Sequence, residues 1–275
     1  MTLSDLHKLL PRLQTKKFLC LNDFQLIAYS RIYGSIYNLV FVNGLDGEYG
    51  DRKSYYDKLE TLSNMMIRRV ANRKSLTDKA RLIYAAFHVL YNNALMVDRA
   101  KEAQCMKLMS EVVDEYLARP SEDYYQTFWV MRLMVLQMYG YIEEGTQMPV
   151  QLDFVRERLA QWNAELNEDT LVWDGLSIRE ALFRLMLFAM NSVMLLDRQY
   201  HDRISQTFNH YVSCLEEEDY RMRAIAFDIM LLREPSTHEN LEQMERITRL
   251  RIHPDQDPDL VFRALQVQHI CGRGI

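Results

Sequence analysis

Two aspartates stand in nearly the same phrase, about a hundred residues apart. YNNALMVDR covers 91–99 and MNSVMLLDR covers 190–198, so that Asn92 matches Asn191, Asp98 matches Asp197 and Arg99 matches Arg198. Paired carboxylates can hold a divalent cation through oxygen ligands, or divide the roles of general acid and general base. The two asparagines fall inside apolar runs, where a buried amide must find a partner in a neighbouring helix or in a ligand. His88, in LIYAAFHVLYNN, lies one turn before Asn92 and belongs to the same candidate pocket.

Geometry weighs against the paired carboxylates. If the phrases mark equivalent turns of stacked helical units, those turns lie four helices apart. With neighbouring helix axes about 10 Å apart, that separation is too great for one metal. The simpler reading makes each aspartate the cap of the helix that follows it, with Arg99 and Arg198 paired to a carboxylate or solvated. Asn92 and Asn191 then fix helix packing, or touch a ligand.

No other local motif supplies chemistry. The seven histidines form no HExxH and the four cysteines no CxxC, so no structural zinc spacing appears. The glycine-bearing NGLDGEYGD (43–51) is neither GxGxxG nor GxxxxGK and reads as a loop. GxSxG, DDxxD and paired ExxH patterns are also missing from the sequence. These absences lead to an expectation of no cofactor and no metal.

Composition narrows the class further. The chain has 275 residues, 48% of them hydrophobic, which is enough for a continuous core. Only 9 glycines and 6 prolines are present, which favours helices over sheets joined by tight turns. The net charge of −5 argues against nucleic acid as a partner, although Arg68, Arg69, Arg73 and Lys74 with Lys16 and Lys17 would make a basic stripe if they aligned. The most apolar run, 181–196, is interrupted by Arg184, Asn191 and Ser192 and is too short for a membrane span. With no apolar leader at the N-terminus and no disulfide spacing, the expected location is the cytoplasm.

Periodicity then supplies the elements. Helices are expected over 21–42, 54–73, 76–97, 101–118, 122–142, 151–166, 177–196, 200–215, 217–232, 236–250 and 259–270. Capping boxes open three of them: Asn22 with Gln25, Ser75 with Asp78, and Ser177 with Glu180. A restart signature recurs as NDF at 22–24, EDY at 122–124 and EDY at 218–220.

The agreement of these signals predicts an all-α fold over 1–275 as a single domain. Two four-helix units, 22–119 and 122–215, are followed by a partial third, 218–270, stacked as an α-solenoid; a compact multi-helix bundle is the alternative. Within a unit, the first and third helices should form a doubly covered layer and the second and fourth should lie outside. The functional expectation is a scaffold that binds another protein or peptide, including a second copy of itself. Tyr29, Tyr33 and Tyr37 form a candidate contact stripe on the first helix, and the methionines are adaptable packing or contact surface. The competing expectation is an enzyme or small-ligand binder with a pocket around His88, Asn92 and Asn191.

Overall fold

In the computed structural model, residues 18–42, 51–92, 99–144, 151–194, 198–216 and 219–233 are described. Among them every regular element is helical: a single 3-10 turn, Phe18–Cys20, precedes nine α-helices. These are α1 (Asp23–Val42), α2 (Arg52–Val70), α3 (Leu76–Asn92), α4 (Arg99–Ala118), α5 (Tyr124–Glu144), α6 (Gln151–Ala164), α7 (Ile178–Met194), α8 (His201–Ser213) and α9 (Tyr220–Arg233). The expected helices at 236–250 and 259–270 lie outside the described residues, as does the expected loop at 43–51 except for Asp51.

Helix starts follow from local chemistry. Asn22 and Gln25 cap reciprocally, the Gln25 N–H donating to Asn22 Oδ1 at 2.9 Å and the Asn22 N–H to Gln25 Oε1 at 3.1 Å. Ser177 and Glu180 do the same for α7, at 3.3 and 2.9 Å. Ser75 Oγ accepts from the Asp78 N–H at 3.4 Å. The start of α2 rests on Asp51, whose carboxylate accepts from the Lys53 and Ser54 N–H groups, both at 3.2 Å. Such side-chain caps are each worth about 1 kcal/mol.

The residue at the N-cap of α8 is Tyr200, which makes no side-chain capping bond. Ahead of it the His201 N–H donates to the Arg198 carbonyl at 3.0 Å; Asp197, the expected cap, lies outside the described residues.

The chain divides into two compact units, residues 1–108 with 236–275 and residues 109–235. In the first, α1 packs against α2 and α3, and α2 against α3. In the second, α5 packs against α6 and α7, α6 also touches α7, and α7 carries α8 and α9. The same internal arrangement, a first helix against a second and a third, thus occurs in each unit.

Burial separates the helices as their sequences suggest. In α5 every residue from 127 to 137 is buried, and in α7 every residue from 181 to 191 except Arg184. Helix α3 is buried from 80 to 87 except at Arg81. The second and fourth helices bury one stripe each. Leu59, Leu62, Met66 and Val70 serve α2, while Ile204, Phe208 and Tyr211 serve α8. The stripe of α4 runs through Cys105, Met109, Val113 and Tyr116. Met106 and Leu117 are half-buried. Among the described residues no helix is long and apolar enough to cross a membrane.

Candidate ligand cleft

The residues singled out by the repeated phrase separate in the structure. Asp98 and Asp197 lie outside the described residues. Arg99 opens α4 and Asn92 closes α3, their side chains also outside the description. Arg198 is exposed. His88 belongs to the first unit, half-buried, its Nε2 3.1 Å from the Tyr84 hydroxyl. Asn191 belongs to the second unit, 2% exposed, its Oδ1 buried without a hydrogen-bond partner among the described residues.

The tyrosine stripe of α1 is packing. Tyr33 and Tyr37 are buried and Tyr29 half-buried. Tyr33 meets Phe18 edge-on at 5.8 Å and Tyr55 at 6.1 Å. Lys58 Nζ caps the Tyr33 and Tyr55 rings at 5.5 and 5.4 Å. Burial raises the phenols, that of Tyr55 to about 12, and lowers the Lys58 ammonium. The methionines behave alike: Met66, Met131, Met134, Met186 and Met190 are core.

Two members of the expected basic stripe are paired locally, while Lys16 and Lys17 lie outside the described residues. Asp23 accepts from Arg69 Nη1 at 2.9 Å and from Arg73 Nε and Nη2 at 2.5 and 2.7 Å. These two guanidiniums hold the Asp23 carboxyl below its ordinary range, against the opposing effect of burial. Arg69 and Arg73 are therefore engaged, and only Arg68 and Lys74 of the described candidates stand exposed.

A cleft opens instead in the second unit, with a volume of about 110 Å³. Its walls come from three helices and the turns before them. Tyr124, Thr127 and Phe128 of α5 form one side, Arg158 and Trp162 of α6 the second, and Glu180, Phe183, Arg184 and Leu187 of α7 the third. Ser121, Glu122 and Leu176 complete the rim. Phe128 and Phe183 stack at 4.3 Å and 20°, making a flat apolar wall. Tyr124 stands at the mouth, 39% exposed.

The loop from Glu165 to Ser177 sets the remaining wall. Asn167 Oδ1 accepts from the Asp169 and Thr170 N–H groups at 3.0 and 3.2 Å, closing an Asx turn. Leu171 takes a left-handed conformation, φ 57°, and Gly175 follows at φ 78°. Trp173 anchors the loop: its Nε1–H donates to the Trp162 carbonyl at 2.6 Å, and its backbone N–H donates to the Tyr211 hydroxyl at 3.0 Å. Leu176 is thereby delivered to the rim.

The charges of the cleft differ in their engagements. Arg184 Nη1 pairs with Glu165 at 2.7 Å, and its guanidinium lies 4.9 Å from the Trp162 ring centre and 5.5 Å from that of Trp173. Glu180 Oε2 accepts from both the Ser177 N–H and Oγ–H, and the Ser177 hydroxyl and backbone hold its carboxyl below the ordinary range. Arg158 is half-buried over the Phe154 ring at 5.7 Å and has no carboxylate partner among the described residues.

The restart signature EDY at 122–124 marks Tyr124, but nothing in the sequence joins it to Phe128, Arg158 or Phe183. Only the fold brings Arg158, on the half-polar helix α6, to the stacked phenylalanines of α5 and α7. No group of three or more His, Cys, Asp or Glu residues among those described could hold a metal. No protein-family model matches the chain, and neither a curated protein nor a solved structure resembles it.

Proposed function

We propose that this chain is a helical-repeat scaffold whose second unit binds a segment of another protein at the α5–α6–α7 cleft. The carrying observation is the combination of an open cleft of mixed polar and apolar lining with a half-buried cation that the described residues leave without a carboxylate. A desolvated cation gains more from an incoming partner than an exposed one. The recurrence of one three-helix arrangement within each unit agrees with a helical repeat. A fold alone assigns no function, so the reading rests on the cleft.

Photo-crosslinking tests it. A benzophenone amino acid at position 124, at the cleft mouth, should give a discrete heavier adduct in cells of the source organism. The same group at the exposed position 74 serves as control. An adduct at 124 alone supports the reading; no adduct at 124, or identical adducts at both positions, overturns it.

A further inference from the structure

We infer that the cleft takes an acidic peptide segment, seating one aliphatic side chain against the edges of the stacked Phe128–Phe183 pair while Arg158 pairs with a carboxylate on an adjacent residue. This inference rests on the proposed binding function and names the partner's chemistry.

Size limits the anchor. The cleft holds about 110 Å³, less than the roughly 150 Å³ of an apolar cavity that admits a benzene ring. A Leu, Ile or Met side chain fits that space better than an indole. The floor suits such a group, because Phe128, Phe183 and Leu187 are apolar and line the cleft.

Elimination identifies the polar contact. The cation of Arg184 is already occupied by Glu165. The free N–H groups at the start of α5 are taken by Asp123, which accepts from Tyr125 at 2.8 Å and Gln126 at 3.3 Å. At the start of α7, Ser177 Oγ takes the Glu180 N–H. Charge selection therefore falls to Arg158. Its planar guanidinium, set over Phe154, can present a fork to a carboxylate while its hydrocarbon stem stays covered. Glu122, exposed on the rim, repels an anion on the α5 side and so biases the acidic residue toward α6. Two arginines and two glutamates line the cleft, and this balance disfavours a polyphosphate chain, which needs a run of cations.

Selection from a displayed library of random short peptides tests the inference, using the full chain as bait. The expected enriched set places Leu, Ile or Met next to Asp or Glu. A synthetic peptide of that consensus should lose about five- to tenfold in affinity against Arg158→Gln. It should gain about twofold against Glu122→Gln. Both positions are partly or fully exposed, and a far-ultraviolet spectrum of each variant confirms that it folds. Enrichment of basic or uncharged peptides, or affinity indifferent to Arg158→Gln, overturns the inference and leaves the scaffold reading standing. Failure to enrich any peptide also overturns it, and the adduct at position 124 then decides the scaffold reading separately.

Discussion

The indole nitrogen of Trp173 donates to the backbone carbonyl of Trp162 at 2.6 Å, tying the loop before α7 to the last turns of α6. Both indoles are buried, and the Arg184 guanidinium lies over both rings. One bond therefore fixes the loop, a wall of the cleft and the cation between them. Trp173→Phe keeps a ring but removes the donor, leaving the Trp162 carbonyl short of a partner, and also leaves a gap. The expected loss is about 2–3 kcal/mol, read as a lower urea midpoint. A midpoint unchanged from wild type would mean that the bond does not anchor the loop.

Asp23 predicts how the first unit responds to acid. Arg73 and Arg69 stabilise its ionised form, so its folded pKa lies below the unfolded value. Its contribution to stability is fully present above the unfolded pKa and is lost as pH falls through the folded one. Asp23→Asn should cost about 1–2 kcal/mol at neutral pH. The gap between wild type and variant should narrow as pH is lowered through the acidic carboxylate range. Urea titrations at a series of pH values measure this directly; a gap that widens toward acid has the wrong sign for the proposed pairing.

Helix identity was legible in the chain because each helix carries its signal locally. Asn22 with Gln25 and Ser177 with Glu180 state where α1 and α7 begin, and the long apolar runs of α3, α5 and α7 mark the most buried helices. The fate of a polar residue on such a helix was less legible. Tyr33 and Tyr37 share a stripe that suits either a binding face or a core, and only the neighbours Phe18, Tyr55 and Lys58 decide for the core. The cleft was illegible for a related reason. Arg158, Phe128 and Phe183 belong to three separate helices, and no spacing along the chain encodes their meeting.

Asn191 offers a test of the repeated phrase that opened the reading. Its Oδ1 is buried with no partner among the described residues, on a helix face that is otherwise apolar. Burying a carbonyl oxygen without a hydrogen bond is unfavourable by about 1–3 kcal/mol. Asn191→Val, an apolar side chain only modestly larger, should therefore raise the urea midpoint, by an amount equivalent to about 1 kcal/mol. A fall in stability would show that the amide is held by a polar group and would return it to the list of ligand contacts.

The cysteines should divide by reactivity. Cys105 is fully buried on α4, and burial pushes its thiol up to about 12, with Glu102 adding to the effect. Cys20 and Cys214 are exposed. The thiolate is the nucleophile, so at neutral pH Cys105 lacks both access and ionisation. Brief treatment of the native protein with iodoacetamide, followed by digestion and mass spectrometry, should modify Cys20 and Cys214 and spare Cys105. The same treatment in strong denaturant should modify Cys105 as well. Because Cys105 sits in the stripe that also contains Met109 and Val113, its native-state rate also reports opening of α4. Alkylation of Cys105 as fast as Cys214 in the absence of denaturant would contradict the packing of that helix.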